Sequence, residues 1–143
     1  MLKIKESYAT LPAQDIKRAR KFYEETLGLA PAEESPDGGA SYKTGNTGFG
    51  VFPSSGKSSG DHTQIGLEIE DVRAAVSELK GRGVKFEDYD FPGLKTEAGI
   101  LATEVMTGAW FKDTEGNLIG LIQTRVAVKP AAGGSRETTT NGR

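Results

Sequence analysis

The only histidine of the chain, His62, stands two residues before Gln64 and six before Glu68, so on an extended strand the three donors share one face. Imidazole, amide and carboxylate are ligand types that hold divalent cations. Their spacing works against it, because residues two apart on a strand lie about 6–7 Å from each other. His62 is therefore expected in a solvated linker. Glu68 is read either as a cleft general base or as a carboxylate paired with a cation or facing solvent. The chain has no cysteine, which excludes disulfides, thiolate catalysis and zinc–thiolate sites. One linker histidine leaves the many Ser and Thr without the base a hydrolytic triad needs. No phosphate-binding loop, dinucleotide fingerprint or zinc signature occurs. What remains is aromatic surface. Trp110, Tyr8, Phe49 and Phe52, with Tyr42, Tyr89 and Phe91, offer rings for stacking and apolar burial of a ligand. Phe22 and Tyr23 belong to a helix face instead.

A chain of 143 residues suits one domain with a core that needs no staples. Lys and Arg number 18 and Asp and Glu 20, a formal charge of -2. That balance argues against a nucleic-acid binder, which shows a basic patch or stripe, and against a polybasic membrane anchor. The apolar runs are too short for a membrane span. Residues Met1–Glu6 have no apolar signal region, so a cytoplasmic protein is expected.

Two segments carry helical periodicity. From Ile16 to Leu27 the residues Ile16, Ala19, Phe22, Tyr23 and Leu27 form one apolar face, with Asp15 as N-cap and Gly28 as stop. From Val72 to Lys80 the face is Val72, Ala75, Val76 and Leu79, capped by Asp71. Strand patterns cover Ser7–Pro12, Ala30–Glu34, Ser41–Thr44, Phe49–Phe52, Gln64–Ile69, Val84–Asp90, Ala109–Lys112 and Leu118–Gln123. Asp113–Asn117 signals a turn. The aperiodic stretch Pro92–Gly108 reads as a lid, a binding loop or disorder, with Glu97–Met106 as a flexible lid or an irregular cover.

A shift of 56 positions lays Leu11 on Leu67, Asp15 on Asp71, Ile16 on Val72, Lys17 on Arg73 and Ala19 on Ala75. The strand–cap–helix unit thus recurs. The expected class is α+β, with two tandem βαβββ modules at about 6–53 and 63–124, a Gly/Ser-rich linker at 54–62 and one domain over 1–126. The segment 127–143 lacks large apolar residues and is expected to be disordered.

The segments LPAQDIKRARKFYEETLGL and LEIEDVRAAVSELKGRGV, closed by FKDTEGNLIGLIQ, resemble the vicinal oxygen chelate superfamily of glyoxalases, bleomycin-resistance proteins and extradiol dioxygenases. The resemblance covers roughly residues 6–123. It implies a curved mixed sheet around a cleft with helices outside, and a homodimer. It also implies that a catalytic relative holds a divalent metal on the first, fourth, fifth and eighth strands. Carried over, those positions fall on Tyr8, within Gly50–Phe52, on Gln64 and on Gly120, with no Asp, Glu or His anywhere in Gly45–Pro53. Glycine offers no donor, and a phenol is a poor one near neutral pH. The expectation is therefore a metal-free, cofactor-free binder of a small aromatic or amphipathic molecule, using Tyr8, Thr10, Gln64, Glu68, Trp110, Phe49 and Phe52. The alternatives are a lyase, isomerase or dioxygenase with atypical residues, and a partner-binding or regulatory domain.

Overall fold

The computed structural model describes residues 1–125, so the segment expected to be disordered lies outside the described residues. Strand β1 (Ala9–Ala13) leads into a helix, α1 (Ile16–Lys21), which widens into a π turn over Phe22–Thr26. Strands β2 (Pro31–Glu34), β3 (Ala40–Thr44) and β4 (Thr47–Pro53) complete the first unit. The second repeats it with β5 (Thr63–Glu68), α2 (Val72–Gly81), β8 (Ile100–Ala102), β9 (Met106–Lys112) and β10 (Leu118–Thr124). Between α2 and β8 lies a short hairpin, β6 (Asp90–Phe91) and β7 (Leu94–Lys95). The two main sheets have orders β1-β4-β3-β2 and β5-β10-β9-β8. In each, the outer strand before the helix runs parallel to the last strand, Leu11 opposite Val51 and Leu67 opposite Leu121. The duplication seen as a 56-residue shift is thus a duplication of sheet topology.

Both helices start where a carboxylate closes the first turn. Arg18 N donates to Asp15 Oδ1 at 3.0 Å, and Ala74 N to Asp71 Oδ1 at 3.0 Å. Their apolar faces cover the sheets and join one core that includes Leu11, Tyr23, Val51, Val72, Val76, Phe111, Ile119 and Leu121. The first helix is not α throughout the expected Ile16–Leu27. Leu27 N donates to Phe22 O at 3.0 Å, a five-residue step, and within this wider turn Tyr23 is fully buried.

The second unit departs from expectation at its edge. Val84–Asp90 does not join the ladder. Only Phe86 bridges to Phe111, and Glu87 N donates to Trp110 O at 2.8 Å. The chain instead turns at Pro92-Gly93 and folds back on itself. Thr96 N donates to Tyr89 O at 2.9 Å and Tyr89 N to Thr96 Oγ1 at 2.8 Å. Asp88 Oδ1 accepts from the Thr96 hydroxyl and from Gly99 N, both at 2.8 Å. This local network uses the groups that a strand would have paired, and it delivers Ile100–Ala102 to the edge of β9. The stretch read as loop or lid therefore holds the edge strand of the sheet.

The Asp113–Asn117 turn joins the two units. Asp113, Glu115 and Asn117 are all buried, and their partners come from the first unit and the linker. Tyr23 Oη donates to Asp113 Oδ2 at 2.6 Å, Asn117 Nδ2 to Pro12 O at 3.0 Å, and Ser58 Oγ to Asn117 Oδ1. Gly116 sits at φ 87°, the left-handed region that glycine enters without a Cβ penalty. Arg18 grips Glu115 with two bonds, 2.8 and 3.1 Å, and Asp15 N adds a third at 3.1 Å.

Those bonds from the Arg18 guanidinium hold Glu115 at about 2, well below its ordinary 4.5, although burial works the other way. A carboxylate depressed in the folded state stabilises the fold fully above its unfolded value and loses that contribution as pH falls towards the folded one. The stability gap between the wild type and Arg18→Met is thus expected to be largest above pH 5 and to close as pH falls towards about 2. Urea unfolding across that range measures it, and a gap that stays constant would show that the pair does not titrate with folding. Arg18 is 53% exposed, so solvent screening keeps the effect below what the shift alone suggests.

Candidate functional site

The faces of the sheets turned away from the core hold the candidate residues. In β9, Ala109 and Phe111 point into the core, so Gly108 and Trp110 leave on the other face. In β10, Ile119 and Leu121 point inward, leaving Gly120 and Ile122 outward. In β5, Ile65 and Leu67 pack on the core, leaving Gln64, Gly66 and Glu68 on the same outward side.

Trp110 lies across from Gly120 in the ladder, and it packs closely over two glycines. A Cβ on Gly120 would stand 3.0 Å from the indole Nε1, and one on Gly108 would stand 3.2 Å from Cη2. The indole therefore rests on a bare backbone floor spanning two strands. Tyr89 meets it edge-on, with ring centroids 5.8 Å apart at 79°. Phe91 continues the row, 6.0 Å from Tyr89 and 59% exposed. Burial, then the Glu87 carboxylate, push the Tyr89 phenol up from its ordinary range, so it stays a neutral hydroxyl at physiological pH.

Gln64 stands at an irregularity of the β5–β10 ladder. Thr63 pairs with Leu118 and Ile65 with Ile119, leaving Gln64 as the extra residue between them. Its Oε1 is buried and accepts no hydrogen bond. Glu68 is exposed, and its Oε2 accepts from Thr124 N at 3.0 Å and Thr124 Oγ1 at 2.8 Å. His62 lies exposed in the bend before β5.

The first sheet contributes a second outward face. Thr10 pairs with Gly50 and Pro12 with Phe52, and Phe52 is 39% exposed. Tyr8 precedes the observed β1 rather than lying in it, and is 68% exposed. Phe49 requires a correction. It is 2% exposed, with its ring 5.5 Å from Tyr23 and 5.4 Å from Tyr42, so it is core and not ligand surface. Phe49 and Phe52 are three apart on one strand and must face opposite sides; the core took Phe49 along with Val51. The structure thus groups Gln64 and Trp110 on one sheet, and Thr10 and Phe52 on the other. Tyr89 and Phe91 complete the Trp110 group. Their aromatic character was legible, but not the fold-back that brings them to the indole. Two depressions of about 440 and 390 Å³ lie elsewhere, one beside Phe22, Arg82 and Lys85, the other beside Arg73, Lys95 and Ile100.

The donor set does not fit a divalent cation. At the four positions implied by resemblance stand an exposed phenol off the strand, a Gly–Val–Phe segment, one neutral amide and a glycine overlain by an indole. Among the described residues no three His, Asp or Glu converge.

A family model described as the Glyoxalase/Bleomycin resistance protein/Dioxygenase superfamily matches residues 7–121. No curated protein matches the sequence. Among solved structures, UcmS2 is similar at 18% identity and TM-score 0.66, covering 85% of this chain and 98% of its own. FosX, a genomically encoded fosfomycin resistance protein from Listeria monocytogenes, is similar at 13% identity and TM-score 0.65, covering 85% and 94%. TnmS3, an antibiotic binding protein from Streptomyces sp. CB03234, is similar at 24% identity and TM-score 0.60, covering 85% and 99%. At these identities the likeness is one of fold.

Proposed function

The chain belongs to the Glyoxalase/Bleomycin resistance protein/Dioxygenase superfamily, and we propose that within it the chain is a metal-independent binder of a small planar or amphipathic molecule. The observation that carries this reading is the indole of Trp110, laid on the glycine floor of Gly108 and Gly120 and continued by Tyr89 and Phe91. These rings lie on a face opposite the core, where folding does not require them. A large aromatic surface with few charges is suited to stacking a flat ligand. Binding would need no metal, since the donor set does not fit a divalent cation. The likeness in fold to TnmS3, an antibiotic binding protein, supports a small-molecule binding role.

We further propose that the domain extends over residues 1–126 and pairs as a homodimer. Exposed Tyr8 and Phe52 supply apolar surface for a second copy to cover.

The test is a thermal-shift screen with planar aromatic compounds, run beside elemental analysis after incubation with Ni, Zn, Mn and Fe(II) and desalting. A ligand present at a hundred times its dissociation constant stabilises the fold by about 2.7 kcal/mol, which for a domain of this size raises the melting temperature by roughly 10 °C. The reading expects at least one such compound and no stoichiometric metal. A protein that retains one equivalent of metal, or that no aromatic compound stabilises, would overturn it.

A further inference from the structure

We infer that Gln64 is the specificity-determining residue of the Trp110 face, accepting a hydrogen bond from an N–H or O–H group at the edge of a planar ligand. The inference rests on the reading of that face as a ligand site. Among the described residues, Gln64 Oε1 is the one buried side-chain polar atom without a hydrogen-bond partner. Such an acceptor has lost its water and gained nothing, so it calls for a reason. Its position supplies one. Gln64 is the extra residue where the β5–β10 register shifts, and bulges of this kind re-aim a side chain and are frequent beside binding sites. The start of β5 also borders the indole: the Thr63 methyl lies 3.5 Å, and Trp110 Nε1 3.0 Å, from the point where a Cβ on Gly120 would stand.

The residue as a whole is only partly buried, so rotation about its side-chain torsions can swing the carbonyl towards a molecule resting on the indole. A ligand with a donor at its edge then gives the oxygen the partner it lacks. One without a donor leaves it unpaired, and a site built around such a bond discriminates strongly against the analogue lacking it. The amide is neutral, so discrimination falls on the donor and not on ligand charge.

A matched pair of probes, 2-naphthol and 2-methoxynaphthalene, isolates that donor, with affinity read by titration calorimetry. Trp110 is the only tryptophan, so quenching of its fluorescence shows separately whether a probe reaches the face. The wild type is expected to bind 2-naphthol about tenfold or more tightly than the methyl ether. In Gln64→Met, of similar length but with only a weak acceptor, the ratio is expected to fall below about twofold, while both probes still quench. In Gln64→Glu, which keeps an acceptor, the preference is expected to persist. If both probes quench the wild type but it shows no preference, or if Gln64→Met keeps the preference, Gln64 is not the acceptor and the face remains a ligand site. If neither probe quenches or binds the wild type, the reading of the face fails along with it. The wild-type ratio stands as a test even if a variant does not fold.

Discussion

Asp113→Ala is expected to lower the stability of the protein by about 3–5 kcal/mol, because it removes the acceptor of several buried donors and each group left unsatisfied costs about 1–3 kcal/mol. The carboxylate is 6% exposed and accepts four bonds. Oδ2 takes the Tyr23 hydroxyl at 2.6 Å and Asn117 Nδ2 at 2.8 Å, while Oδ1 takes Glu115 N at 2.8 Å and Asn117 N at 2.9 Å. Alanine fills little of the space and leaves the Tyr23 hydroxyl and the Glu115 and Asn117 backbone amides without an acceptor, each at the cost of its desolvation; Asn117 Nδ2 keeps Pro12 O. Burial raises the Tyr23 phenol above its ordinary range even without that carboxylate, so its O–H stays a donor in need of an acceptor. Urea unfolding measures the loss. It should appear as a lower midpoint with an unchanged slope. Tyr23→Phe keeps the ring contacts and removes one donor, so roughly 1–2 kcal/mol is expected. A loss below 1 kcal/mol for Asp113→Ala would mean that water replaces the carboxylate and that the turn is not a keystone.

Trp110→Ala is expected to abolish the binding of planar ligands while leaving the fold intact. Tryptophans that anchor a bound partner commonly contribute 2 kcal/mol or more, which is roughly thirtyfold in affinity. The fold should survive because the indole is only partly buried and rests on backbone rather than within the core. With 2-naphthol as probe, the calorimetric signal should vanish at concentrations that saturate the wild type. Trp110→Phe, which restores a smaller ring on the same floor, should recover part of it. Undiminished binding in the alanine variant would move the site to the other sheet face, near Thr10 and Phe52.

Much of this architecture was legible in the sequence because it rests on local rules. Asp15 and Asp71 cap helices because a carboxylate one residue before a periodic apolar run meets the free N–H groups. The 56-residue repeat foretold two like sheets because each strand–helix unit keeps its own apolar pattern. What the pattern could not give was set by distant partners. Val84–Asp90 alternates like a strand, yet Asp88 and Thr96 form a local network that draws it out of the ladder. Phe49 and Phe52 are equally aromatic, and only the direction of β4 decides which is buried. Glu68 reads from the sequence as a base, a paired carboxylate or a solvent-facing one, and its Thr124 partner lies 56 residues away. The value of Gly120 was half legible. Its lack of a donor argued against a metal, but the indole that needs its missing Cβ is brought in by the β9–β10 ladder.

The buried turn also bears on how the chain folds. Its bonds to the first unit join residues 97 and 105 positions apart, Arg18 to Glu115 and Pro12 to Asn117. Contacts of such separation raise contact order and form only after a large loop has closed, which slows the search for the native state. The corresponding connection in the first unit, between Thr44 and Thr47, is exposed and bonds only locally. Duplication thus left the halves unequal. The first can complete its own turns, whereas Glu115 and Asn117 of the second draw bonds from Arg18, Asp15 and Pro12 of the first. Such bonds couple the two halves, so a single cooperative unfolding transition is expected of them.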